Sequence, residues 1–112
     1  MLKPPKYNDS TLYDLIKNKV LAGQYVIKNH ARLRMNQRGI SDLQVVAGLL
    51  GVSGYKRWRN KKKDSYEQGN TDWNYCIECQ AKDENILRII ISFYSDLMPV
   101  ITVMWLGDKN GN

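Results

Sequence analysis

The sequence predicts an α+β fold in which N-terminal helices pack on one face of an antiparallel sheet of three to four strands. Three observations support this prediction: helical apolar spacing in the first half, alternating apolar runs in the second half, and short polar turns between those runs. The 112 residues suffice for one domain with its own core. We expect a flexible lead-in over residues 1–9, a single domain over 10–106 and a polar tail over 107–112.

The first helix is predicted to begin at a cap, Ser10 or Thr11, and to end at Gly23. Its apolar residues recur at the three- and four-residue spacing of a helix. Residues 25–27 then form a short apolar run. This run fits either an edge strand or the segment that leads into a second helix.

The second helix is predicted from His30 to about Arg38, with Asn29 as its cap and Gly39 at its C-terminal end. Ser41 caps the third helix, whose apolar face recurs at helical spacing up to Gly51. The two helices are therefore expected to follow each other after a very short connection.

Three strands are predicted in the second half of the chain, over residues 73–80, 87–93 and 100–106. Polar residues at 83–85 and 95–96 supply the turns between them. Sequential strands joined by short turns favour antiparallel pairing.

Two cysteines, Cys76 and Cys79, occur in the first of these strands. Residues three apart on a strand point to opposite faces, with Cα atoms roughly 10 Å apart, which is too far for a disulfide. A zinc site usually needs four ligands, and the sequence has no second cysteine pair. We therefore expect two free thiols in a reducing compartment, and neither a metal ion nor a cofactor.

The charge of the chain is unevenly distributed. Residues 28–63 hold ten basic residues and one acidic residue, a net charge of +9, while the whole chain carries +6. Such polarity favours an anionic partner such as nucleic acid, although a solvated lysine-rich surface is the simpler alternative. No apolar run approaches the ~18 residues of a membrane span, and the polar N-terminus is no signal peptide. We expect a cytoplasmic protein without membrane contact.

Residues 30–41 carry the most specific motif of the chain. They resemble the His-Ala-x-x-Arg-Met-x-x-Arg-Gly-Ile-Ser signature of a small prokaryotic domain family, which looks like a branch of the RelE/ParE-like toxin superfamily with its BrnT- and MqsR-type toxins. Eight positions agree: His30, Ala31, Arg34, Met35, Arg38, Gly39, Ile40 and Ser41. The resemblance implies a RelE/ParE-like fold and a toxin-antitoxin or mobile-element setting. Several relatives cleave mRNA, whereas ParE-like relatives poison gyrase without nuclease chemistry.

His30, Arg34 and Arg38 are four residues apart and would form one stripe on a helix. Metal-free RNA cleavage needs a group that moves protons and positive charge on the phosphate. We therefore predict catalytic roles for His30 and Arg34 and a nucleic-acid contact for Arg38. The alternative is structural: His30 would hydrogen-bond a carbonyl, and Arg38, beside Gly39, would hold the junction between two helices.

A second basic group follows the third helix. Its aromatic member, Trp58, could stack on a base while the surrounding cations contact phosphates. The alternative is a mobile loop whose tryptophan packs on the core. The predicted nucleic-acid contacts in this group are Lys56, Arg57, Trp58, Arg59, Lys61, Lys62 and Lys63.

Arg88 is the third catalytic candidate, because it interrupts an apolar strand. In RelE-like nucleases an arginine of the sheet commonly contacts the scissile phosphate, and Arg88 resembles such a position. Tyr94, after the same strand, could donate a proton or stack. Glu78 is a conceivable base, or else a solvent-facing residue at the sheet edge.

The combined prediction is a toxin-type domain that binds RNA, including ribosome-bound mRNA, and cleaves it without a metal ion, as an mRNA-interferase-like endoribonuclease does. A cognate antitoxin is the expected protein partner. The alternative is a non-catalytic binding module: a gyrase inhibitor, a nucleic-acid-binding protein or a structural protein.

Overall fold

The computed structural model describes residues 3–80 and 84–107 and confirms the α+β class. Asp83, in the first predicted turn, and residues 108–112 of the predicted polar tail lie outside the described residues. The elements are α1 (Asp9–Leu21), β1 (Tyr25–Ile27), α2 (Asn29–Arg38), α3 (Asp42–Leu50), β2 (Lys56–Arg59), a short 3-10 turn (Lys61–Lys63), β3 (Tyr75–Gln80), β4 (Ile86–Ile91) and β5 (Met98–Trp105).

The sheet has five strands in the order β1-β5-β4-β3-β2. The prediction of a purely antiparallel sheet with three to four strands was wrong, because β1 pairs with β5 in parallel and β2 adds a strand at the other edge. The three predicted strands of the second half are confirmed as β3, β4 and β5, which pair antiparallel. Residues 25–27 are an edge strand, the first of the two expected alternatives.

The three helices contribute to one core against a single face of the sheet. Leu12, Met35 and Leu49, one from each helix, are fully buried in the same cluster as Ile77 of β3 and Ile89 of β4. On β4, the residues of this face alternate with the less buried Arg88 and Ile90. The opposite face of the sheet carries no helix of the described chain.

Local capping explains where the helices begin and end. α1 begins at Asp9, earlier than predicted, because the side chain of Asn8 accepts a hydrogen bond from the Thr11 amide at 2.8 Å. α2 begins at Asn29, which is its first helical residue and not its cap. Gly39 ends α2 at φ +67°, a left-handed conformation that favours glycine, as predicted. Ser41 caps α3, also as predicted.

The lead-in segment lacks helix or strand but is attached to the domain. The Trp73 indole donates to the Pro4 carbonyl at 2.7 Å, and the ring of Tyr7 stacks on Tyr75 with centroids 5.6 Å apart. The Arg59 guanidinium donates to the Tyr7 carbonyl at 2.6 Å. Residues 3–8 therefore form part of the folded domain and are not the flexible segment that was predicted.

Helix α3 approaches strand β3 so closely that only a glycine fits at their contact. A Cβ atom on Gly48 would lie 2.5 Å from Cys79 Sγ and 3.4 Å from the Ile89 side chain. The two cysteines are free, as predicted, and both are buried. Within residues 3–80 and 84–107, no helix is long and apolar enough to cross a membrane.

Candidate functional site

His30, Arg34 and Arg38 line one shallow pocket of about 130 Å³. The helical spacing of α2 places all three on the same side, and all three are exposed. The other wall of the pocket is formed by residues 102–105 of β5. The structure therefore brings together the three predicted residues of α2.

The strand wall of this pocket was missed in the sequence, since it depends on the parallel pairing of β1 with β5. β1 pairs only with residues 98–100 of β5, and the Lys28 amide donates to the Val100 carbonyl at 3.0 Å. The chain then enters α2, which packs beside the remaining length of β5. A short β1 thus leaves room for the His30 pocket next to the strand edge.

Arg34 and Arg38 have no carboxylate partner among the described residues. Arg32, which lies on another side of α2, forms a two-point ion pair with Asp42 at the start of α3. The α2–α3 junction is therefore bridged by Arg32, and the structural alternative for Arg38 stays open. Within residues 3–80 and 84–107 neither arginine of the His30 pocket takes part in an ion pair, so both can offer guanidinium donors to a ligand.

The second basic group divides into buried and exposed members, and Arg59 is its most buried cation. Its side chain is 1% exposed and donates to Asp64 at 2.9 Å. It also contacts Asp9 at 3.0 Å. The predicted contact of Arg59 with nucleic acid was wrong, because these carboxylates already take its donors.

Arg57 and Trp58 are also engaged within the domain. The Arg57 guanidinium lies 4.0 Å from the ring centre of Tyr13 and donates to the Leu49 carbonyl. The Trp58 indole is half-buried and donates to Glu78 at 2.9 Å. These two side chains join β2 to its neighbours, and their RNA contacts stay predictions.

Only the lysines of this group remain at the surface. Lys56, Lys62 and Lys63 are exposed, while Lys61 lies 3.5 Å from the carboxylate of Asp9. The sequence could not separate these lysines from the buried arginines, since both types occur in the same short run.

Glu78 is 6% exposed on the interior strand β3, so the alternative of a solvent-facing residue at a sheet edge was wrong. Its carboxylate accepts hydrogen bonds from Trp58, from Asn60 at 3.1 Å and from Arg88 at 2.8 Å. Burial raises the pKa of Glu78, but these donors outweigh burial and hold the pKa below its ordinary value.

Arg88 is committed to Glu78 and does not line the His30 pocket. Its Nη2 and Nε atoms both lie 2.8 Å from Glu78 Oε2. The charge of Arg88 in this apolar strand is therefore balanced by Glu78 of the adjacent strand β3, and the catalytic role of Arg88 stays a prediction.

No group of three His, Cys, Asp or Glu side chains in the described parts of the chain could hold a metal ion. Residues 27–105 match the model of a family described as a domain of unknown function, DUF4258. This range contains the whole His30 pocket. No curated protein matches the chain.

Proposed function

Because the chain belongs to the DUF4258 family, a domain of unknown function, we propose its function from the His30 pocket. The domain is a cytoplasmic toxin-type protein that binds RNA and cleaves it without a metal ion. Its proposed setting is a toxin-antitoxin or mobile-element system with a cognate antitoxin, in keeping with the RelE/ParE-like motif of residues 30–41. The observation that carries the proposal is the pocket shared by His30, Arg34 and Arg38.

The two free guanidinium groups suit a phosphodiester. Arg34 lies one helical turn, ~5.4 Å along the axis, from His30, so a single phosphate can contact both side chains. Guanidinium donors match phosphate oxygens in pairs. Arg38 lies one turn further along and would contact the next phosphate of the strand. Exposed Lys28, just before α2, extends this positive surface.

His30 supplies the proton transfer for cleavage. In the proposed step its neutral imidazole accepts the proton of the ribose 2′-hydroxyl, while the 2′-oxygen forms a bond to phosphorus and the bond from phosphorus to the 5′-oxygen breaks. The imidazolium then returns the proton to the leaving 5′-oxygen. The products are a 2′,3′-cyclic phosphate and a 5′-hydroxyl. Arg34 stabilises the negative charge that grows on the phosphorane oxygens.

A second candidate function is RNA binding without cleavage. The observation that favours it is the composition of the pocket: besides His30, its lining residues are Arg34, Arg38, Thr102, Val103, Met104 and Trp105. None of these partners is a carboxylate, so His30 would have to act as both base and acid. The two candidates share the phosphate contacts and differ only in proton transfer.

The test measures binding and cleavage of single-stranded RNA and of ribosome-bound mRNA by purified protein. His30→Ala is expected to lower the cleavage rate by about 10²–10⁴-fold with little change in affinity. Arg34→Ala and Arg38→Ala should each reduce the slope of log affinity against log salt by about 0.7, the contribution of one phosphate contact. Lys17→Ala, an equal loss of charge on α1, is the control and should leave cleavage unchanged.

Cleavage that survives in folded His30→Ala would contradict the catalytic assignment. Intact RNA at micromolar protein, together with salt-dependent binding, would favour the non-catalytic candidate. Affinity that does not change with salt would exclude RNA as the partner.

A further inference from the structure

A second cavity of about 590 Å³ lies beside the start of β5. Residues 69–72, 74, 92–94 and 97 border it, together with Val26 and Lys28. Its volume falls in the range of small-molecule sites, roughly 300–1,000 Å³. No residue of the α2 motif and none of the basic group of β2 lines this cavity. Lys28, which lies just before α2, does line it.

The cavity presents an exposed aromatic ring on a fixed turn. Tyr94 is 69% exposed, yet its backbone forms two hydrogen bonds with Leu97, at 2.9 and 3.0 Å. Pro99 and Ile101 add apolar surface beside it. An exposed ring on such a turn suits stacking with a nucleobase, because every base offers a flat face.

Polar groups that could recognise the edge of a base occupy the opposite side. Asp72 Oδ1 accepts hydrogen bonds from the Tyr75 hydroxyl at 2.8 Å and from the Trp73 amide at 2.7 Å. A carboxylate has about four acceptor positions, so Asp72 can accept further donors. The side-chain amides of Asn70 and Asn74 form no hydrogen bond with another described residue.

This cavity and the His30 pocket follow each other along β5. Pro99 and Ile101 line the cavity, whereas residues 102–105 line the His30 pocket. At ~3.3 Å per residue, the β5 residues that line the two sites are centred about 12 Å apart along the strand, a distance that a short stretch of RNA can span. Lys28 lies at the edge of the cavity, two residues before His30, where its ammonium can contact the linking phosphate.

We propose that this cavity binds a guanine base of the RNA strand whose phosphate is held at His30, with Tyr94 stacking on the base and Asp72 accepting its hydrogen bonds. Guanine is preferred over uracil because its ring N–H and amino group offer two adjacent donors. This inference rests on the proposed function and makes the cavity its specificity site.

The test compares two labelled probes by fluorescence anisotropy: a short oligouridine and the same strand with one central guanine. Wild type is expected to bind the guanine probe about tenfold more tightly. Asp72→Asn should remove this preference, measured as the ratio of the affinities for the two probes. Tyr94→Ala should weaken both probes by about tenfold, through lost stacking.

Matched controls lie on α1, far along the chain from the cavity. Leu21→Ala removes a side chain of the same 69% exposure, and Asp14→Asn removes the same charge. Both should behave as wild type. Asp72 also accepts a hydrogen bond from Tyr75, so Asp72→Asn can fail to fold. Asn70→Ala is therefore a second polar variant, and it should also reduce the guanine preference.

One outcome would overturn the cavity assignment and leave the proposed function intact. In it, wild type binds both probes with equal affinity, Tyr94→Ala binds them as tightly as the controls do, and Arg34→Ala still binds them more weakly. Absence of binding to either probe would overturn both. A guanine preference that persists in folded Asp72→Asn and Asn70→Ala would refute this recognition mode.

Discussion

Arg88→Ala should lower the free energy of unfolding by about 3 kcal/mol at pH 7. Removing one member of a buried ion pair typically costs about 3–5 kcal/mol, because it leaves the other charge buried and unpaired. Glu78 would retain its hydrogen bonds from Trp58 and Asn60, which places the cost at the lower end of that range. With an unfolding entropy of about 2.1 cal/mol/K per residue over 112 residues, each kcal/mol lowers Tm by about 4 °C. The expected decrease is therefore about 12 °C.

The pH dependence of this loss identifies its cause. In the wild-type fold the pKa of Glu78 lies below its ordinary value. As the pH falls, the carboxylate of Glu78 therefore takes up a proton in the unfolded state before it does so in the folded state. The contribution of Glu78 to stability is lost as the pH falls through about 4.3 towards the folded pKa. Without Arg88, the pKa of Glu78 should rise, because burial then opposes fewer donors. At pH 7 the Arg88→Ala variant is destabilised by the unpaired buried charge of Glu78, and protonation removes that charge in mild acid. The difference in free energy of unfolding between the variant and wild type should therefore be smaller in mild acid than at pH 7.

Urea unfolding at pH 7 and near pH 4.5 measures both quantities. Arg34→Ala, which removes the same charge from an exposed site, is the control and should stay within about 0.5 kcal/mol of wild type. Replacing Glu78 and Arg88 together by leucine should restore most of the stability, since no lone charge remains buried. An Arg88→Ala variant as stable as Arg34→Ala, or a deficit that is the same at both pH values, would refute the buried-pair explanation.

Two further predictions concern the contact between α3 and the sheet and the thiols of β3. Gly48→Ala should lower the free energy of unfolding by about 1–3 kcal/mol, because its Cβ would lie 2.5 Å from Cys79 Sγ; adding Cys79→Ala should recover part of the loss in urea unfolding, and no recovery would contradict the clash. Burial raises the pKa of the Cys76 and Cys79 thiols to about 11, so iodoacetamide near pH 8 should modify neither thiol until urea is added. Mass spectrometry that detects a modified cysteine after treatment of the folded protein would contradict this prediction.

The parts of the fold that local chemistry determines could be predicted from the sequence. Ser41 and Gly39 marked the boundary between α2 and α3, because a capping side chain and a left-handed glycine act within a few residues. The parallel pairing of β1 with β5 could not be predicted, since its partners lie more than seventy positions apart. β2 was missed for another reason. Its residues are Lys56, Arg57, Trp58 and Arg59, and three cations conceal the alternation that indicates a strand.

The candidate site shows the same division between local spacing and distant partners. The stripe of His30, Arg34 and Arg38 depends only on helical spacing and could therefore be predicted. The role of Arg59 depends on Asp9, fifty residues earlier in the chain, and on the pairing of β2 with β3, which places Arg59 opposite Ile77. A count of basic residues treats all of these arginines alike. Pairing within the fold removes Arg59 from the surface, whereas Arg34 and Arg38 stay exposed beside β5 and form no ion pair with another described residue.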